Sequence, residues 1–594
     1  TKSGASTSTI GSGITVTSAG TLNITGGLLL FNGTASSSAG SVAVDAGATL
    51  QFDAGSHDLS GLTGAGTLSL TGGGTLGLTG VNSISNYTQS NGTLTNVGAM
   101  TVNGAFNETG GTLSGAGSVT LSGPSNTWSG GDMAGGGSTV IASGGVLDMS
   151  GGNRRFGGRT LTVNNGGALA WSGGAIEIGG ASTIANSGSF TISAGASMAD
   201  GSVSCCDGAG TLTLSNLAAG VITKSGASTS TIGSGITVTS AGTINITGGT
   251  LSMPGFTNTG TLAGSGTLDV GAGTLTNNGA ISPGGAGAVG TLSITGNLAM
   301  GSTGVVDIEA SAVGTYDVIQ VSNNVTLGGL GTVTLTEIGG FSATSGNTFD
   351  VVTSTGGTVT GLFGAATSGG MTVTQANLAG PNRLQLTAGS LFNFWNTDSS
   401  GFWDVVTNWS RGHAPTSSEA AVISRAAADP TVTVSTGSQV ADSVAVSTND
   451  NLTLSGGSLD LAAASSIDAG STFTLSGGTL QGAGTLTANG AFNWSGGTMS
   501  GSGTTTVGSA GVLTISGSTS KYLQDRTFTN NSTAGSTWTG TGAIARAAGS
   551  DGTFNNAGFL ETQSDAAFSH NNFNNSGTLT KSAGASAKDF NLSF

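Results

Sequence analysis

The chain has little charge, proline or cysteine: 7% of its 594 residues are charged, 6 are proline and 2 are cysteine. With 110 glycines but so few prolines, and no glycine at every third position, it cannot form a collagen triple helix. A disordered acidic tail would be highly charged and poor in β-branched residues, which this chain is not. The 13 bases never cluster against the 28 acids, and the net charge is −15, so the basic face of a nucleic-acid binder is missing. No run of 18 apolar residues exists to form a membrane-spanning helix. From Thr1 onward there is neither a basic n-region nor an apolar h-region, so export can only be inferred indirectly. Cys205 and Cys206 are adjacent and cannot tie distant parts together; they read as a loop feature rather than a strained vicinal disulfide.

What the chain does have is repetition. Hydrophobic residues reach 36%, set singly among Thr, Ser, Asn and Gly, the texture of many short strands separated by turns. Residues 1–27 recur at 223–249 with one change, Leu22 becoming Ile244, and a looser copy, TKSAGAS, begins at 580. A second correspondence links GAFNETGGTLSGAG at 104 to GAFNWSGGTMSGSG at 490, and GVLDMSG at 145 to GVLTISG at 511. The offset falls from 386 to 366 between the two matches, so the later copy lacks 20 residues while the pattern survives on both sides. A loss of that size marks about 20 residues as the unit that can be removed cleanly, as in a solenoid.

Local spacing agrees. FTNTGTL around Asn258 and LTNNGAI around Asn277 are 19 residues apart, as are FNNAGFL around Asn556 and FNNSGTL around Asn575; looser members at Asn164 and Asn186 are 22 apart. The period of two puts Phe256, Asn258, Gly260 and Leu262 on one face, with the apolar ends toward the core. Asn258, Gly260, Asn277, Gly279, Asn556, Gly558, Asn575 and Gly577 are therefore expected at corners with left-handed backbone. The Asn amides are expected to stack coil on coil in an inward ladder. The fold class is all-β, a parallel β-helix of 19–22 residues per coil, with on the order of 30 coils in a rod of about 140 Å.

Four blocks follow: 1–288, dense in short Gly-Thr-Leu coils; 289–390, with longer apolar strands; 391–430, a Trp- and Pro-containing junction that closes one block and seeds the next; and 431–594, homologous to part of the first. The segments ISPGGAGAVGTLSITGNLAM, GTYDVIQVSNNVTLGG and GNTFDVVTSTGG resemble the passenger repeats of bacterial autotransporters. The junction GFWDVVTNWS resembles the start of a repeat block in filamentous-haemagglutinin-like giant surface proteins. The resemblance implies a right-handed coil, secretion to the bacterial cell surface and a structural or adhesive role. The partners it implies are surface glycans or proteins, or further copies of the chain in a self-assembling filament. The chain carries neither a secretion domain nor a translocating barrel and reads as part of a longer protein.

Chemistry finds little footing. Asn396-Thr397-Asp398 matches one element of polygalacturonase-like β-helices by letters, but the paired aspartates are missing and His413 stands in the wrong context. Two close carboxylates in a cleft would be needed for glycoside hydrolysis. His57, His413 and His570 are isolated, and GGDMAGGG around Asp132 lacks the serial repeat of calcium-binding solenoids. The chain therefore reads as a structural protein without enzyme activity, cofactor or metal. Trp128, Trp171 and Trp494 in WSGG, with Trp538 in WTG, are binding candidates if their rings face solvent, and an inward aromatic stack if they do not.

Overall fold

The structure, a computed structural model, describes residues 1–34, 37–200, 210–380, 382–545, 550–569 and 572–586. Cys205, Cys206 and His570 lie outside the described residues. The protein is nearly all β, about 1% helical, and winds through about 26 turns of about 21 residues. The parallel β-solenoid expected from the repeats is what forms. Most strands alternate: in Thr243–Ile246, Ile244 and Ile246 are buried while Thr243 and Asn245 are partly exposed, and Ile244 lies in register on Leu262 of the next coil. Threonine suits the outer positions because its branched Cβ fits the pleat while its hydroxyl remains in water. Among the described residues no helix is long and apolar enough to cross a membrane.

Two compact units divide the chain, one comprising residues 1–343, 348–368 and 373–387, the other 344–347, 369–372 and 388–594. In the first unit each coil contributes strands to three faces. Val146–Met149, Arg154–Gly157 and Thr160–Val163 form one coil, and each pairs in parallel with the corresponding strand of the next, Ala168–Trp171, Ile176–Gly179 and Ala181–Asn186. The ladder runs on past residue 288, since Ala280 pairs with Val305. The coils there lengthen: Val305 pairs with Thr332 and Thr332 with Ala365. These longer coils, and the 30-residue step from Asn186 to Asn216, explain why the turns number fewer than the repeat spacing suggested. Antiparallel pairing enters in the later part of this unit, where Val305–Ala312 meets Thr315–Tyr316 and Thr348–Ser354 meets Arg383–Phe394.

The second unit begins with the tryptophan-rich segment. Trp409 meets Trp395 edge-on at 5.2 Å and Trp403 at 4.9 Å, and its indole N–H donates to the Trp403 carbonyl at 2.7 Å. All three belong to the buried core that continues through Val432, Leu452 and Phe473 to Phe568. Gly401–Phe402 is the first strand of a nine-stranded parallel sheet, and the junction thus starts this unit's stack.

The 20 missing residues are one coil. In the first unit Asn107 lies on Thr127 and Thr127 on Asp148; in the second, Asn493 lies directly on Thr514, the counterpart of Asp148.

Candidate functional site

Of the repeated asparagines, Asn258, Asn277 and Asn556 point inward, while Asn575 is exposed. Asn258 and Asn277 are fully buried; the Asn258 amide donates to the Asn277 side-chain oxygen at 2.7 Å, and Asn277 donates to the Gly279 carbonyl at 2.7 Å. Asn556 donates to Asn575 at 2.7 Å and accepts from Asn530 at 2.9 Å. The column is longer than the motif showed, running in register through Asn186, Asn216, Ser240, Asn258 and Asn277. Asn164 is not in it: it is exposed, and the residue beneath Asn186 is Val163.

The backbone expectation at the corners fails. Gly260, Gly279, Gly558 and Gly577 are absent from the positive-φ glycines, as the four asparagines are from the positive-φ residues. Distance is what selects glycine: a Cβ on Gly260 would lie 2.0 Å from the Gly242 carbonyl oxygen, and on Gly279 2.0 Å from that of Gly260. Gly558 and Gly577 repeat this at 2.2 and 2.1 Å.

Trp128, Trp171, Trp494 and Trp538 are at most 1% exposed. Their rings fill the core, so they cannot stack on a ligand from outside. Burial suits an indole, whose large apolar face gains most from leaving water.

Sequence reasoning also missed where the cations go. Lys2, Lys224, Lys521, Arg154, Arg159 and Arg526 are buried, nearly half of the 13 in the chain. Lys2 and its duplicate Lys224 donate to turn carbonyls, Gly4 and Gly26 for the one, Ser225 and Gly226 for the other. Arg159 and Arg526 are a homologous pair. Arg159 donates from Nε to Thr139 at 2.9 Å and from its terminal nitrogen to the Ser138 carbonyl at 2.7 Å; Arg526 does the same to Thr505 at 2.8 Å and Thr504 at 3.1 Å. Burial lowers the pKa of both guanidiniums to about 10, with Glu108 opposing at Arg159 and Asp460 at Arg526. Glu108 is itself fully buried with no hydrogen-bond partner on either oxygen, and burial pushes its carboxyl well above the usual range.

The outer surface carries one feature that resembles a site. On one face of the first unit Thr75, Thr93, Thr112, Asp132, Arg155 and Glu177 lie in register on six successive coils. Arg155 reaches both carboxylates, Nε to Glu177 at 3.2 Å and Nη1 to Asp132 at 4.0 Å. Burial raises the Asp132 carboxyl, Arg155 opposes that and Glu177 adds to it. Beside the column runs a groove of about 680 Å³ lined by Asn91, Asn153 and turn glycines as well as by the column's side chains from Thr93 to Glu177. Gly111 and Gly131 have φ of +82° and +84°, and a Cβ on Gly131 would lie 2.8 Å from the Gly111 carbonyl oxygen, so no side chain rises from that floor. The signal was present in the sequence: in a chain so poor in charge, Asp132, Arg155 and Glu177 follow one another at coil-length intervals.

Elsewhere, Asp398 of the Asn-Thr-Asp match is ion-paired with Arg425 at 2.7 Å. His57 is buried against Phe31 and Phe52, and among the described residues no three His, Cys, Asp or Glu side chains are grouped to hold a metal. No protein-family model matches the chain, and no curated protein matches it.

Proposed function

We propose that this chain is a structural spacer segment of a large bacterial surface protein, exposed outside the cell, with an adhesive role. The observation that carries this reading is the clean removal of one coil between the two homologous blocks, with Asn493 lying on Thr514 where Asn107 and Thr127 precede Asp148. A catalytic domain depends on particular residues at particular distances, whereas a spacer depends on reach, which a solenoid adjusts by whole coils. The resemblance of residues 281–357 to autotransporter passenger repeats supports the surface location. Immunogold labelling of intact producing cells with antibodies to the chain tests it. Label on the outer surface is the expected result; label seen only after permeabilisation would overturn the proposal.

A further inference from the structure

We infer that the groove beside the Thr93–Thr112–Asp132–Arg155–Glu177 column is a binding site for an uncharged linear oligosaccharide lying along the solenoid axis. This goes beyond the spacer reading and does not rest on surface display. The groove presents a row of polar groups that repeats with the coil, about 4.8 Å per step and about 19 Å from the first coil to the fifth. Its contents are hydroxyls, amides, two carboxylates and one guanidinium, the donors and acceptors that match vicinal hydroxyl groups. Asn91 and Asn153 each tie the amide oxygen to a backbone N–H, of Gly92 at 2.8 Å and Ala175 at 3.2 Å, which leaves their amide N–H groups to donate outward.

Competing ligands fit less well. A peptide needs an apolar anchor pocket or an open strand edge. This groove has no aliphatic or aromatic lining residue, and the strand carrying Thr93 is already paired on both sides. A polyanion needs unpaired cations, but among the described residues every cationic side chain that is not buried stands beside a carboxylate: Arg155, Arg383, Arg411, Arg425 and Lys581.

The homologous block supplies an internal contrast. Its corresponding column reads Thr479, Thr498, Tyr522, Ala545 in register. Asp132, Arg155 and Glu177 are thus not required to build these coils, since the sister column stacks without them. They mark something particular to this face.

The test is saturation-transfer NMR on the full chain with cellohexaose, laminarihexaose and maltohexaose, and with a heparin hexasaccharide as the polyanion. With no aromatic platform the affinity is expected to be weak, with Kd on the order of 1 mM for at least one neutral hexasaccharide. The corresponding trisaccharide is expected to bind less tightly. Arg155→Ala and the double variant Asn91→Ala/Asn153→Ala are each expected to weaken binding about tenfold, a change of about 1.4 kcal/mol. Tyr522→Ala on the sister column is expected to leave it unchanged. Should Arg155→Ala fail to fold, the double variant, which alters only exposed side chains, decides. Absence of binding by all three neutral sugars, binding indifferent to the groove variants, or tighter binding of the heparin fragment would each overturn the assignment.

Discussion

At Gly279 any side chain is excluded by distance rather than by backbone angle, because the coil beneath passes 2.0 Å from where a Cβ would sit. Gly73 has no atom within 4 Å of that point and an ordinary φ. Gly279→Ala is therefore expected to cost roughly 2 kcal/mol or more of unfolding free energy. Gly73→Ala should be nearly neutral, and urea midpoints will separate the two. Asp317 offers a test by pH. It is buried, accepts from the backbone N–H of Gly290 at 2.7 Å and of Glu309 at 2.9 Å, and has its pKa raised to about 7. Desolvation is the main cause; the two N–H bonds pull the value down and the Glu309 carboxylate adds to the rise. An unfolded Asp titrates near 3.9, so the penalty for ionising in the fold is absent below about pH 4, grows as pH rises and levels off above about 7. Unfolding free energies measured across this range should fall with pH in the native chain and fall less in Asp317→Asn; equal slopes would refute the account. The Asn258 and Asn277 ladder was legible because equal 19-residue spacing preserved its phase. Asn216 belongs to the same ladder but escaped, and Asn186 matches Asn164 by spacing instead, because the 30-residue step from Asn186 to Asn216 breaks the period. Glu108 escaped for a different reason: the period of two turns it inward with Phe106, but a carboxyl is ordinarily a surface group.

At the scale of the coil, the duplicated sequences were the most informative feature. The offset change from 386 to 366 located the removable unit, and the register of Asn107 on Thr127 identifies its ends. Excising residues 107–126 joins Phe106 to Thr127 with every later strand still in phase. The shortened chain is expected to keep its β-sheet circular dichroism spectrum and a cooperative melt. Excising only 107–116 would turn inward side chains to other faces and is expected to give aggregated or unfolded protein. The same scale explains the buried arginines, which sequence reasoning did not find. Arg526 donates to Ser500, Thr504 and Thr505 one coil away and to Gly482 and Gly484 two coils away, so it ties three successive coils together through four carbonyls and the Thr505 hydroxyl. A solitary arginine among threonines suggests an exposed charge until the hydrogen-bond needs of a tight corner are counted.

For the whole molecule, fold class was readable from composition and repetition. The outward column of Asp132, Arg155 and Glu177 was present only as a spacing, because its alignment emerges once coil lengths of 23 and 22 residues are laid over one another. The compact units also depart from the sequence blocks, since residues 289–387 fall almost wholly with the first block and the tryptophan segment opens the second unit. The enclosed cations have one further consequence for the chain as a substrate. Trypsin cuts after lysine or arginine on an extended segment, and of 13 such bonds six follow side chains held inside the solenoid. Digestion of the folded protein should therefore begin at residues such as Arg425 and Lys581 and leave large fragments, whereas the urea-unfolded chain should be cut throughout. Mass spectrometry of the early products will tell: rapid cleavage after Arg159 or Arg526 in native buffer would mean those guanidiniums are not held in the core.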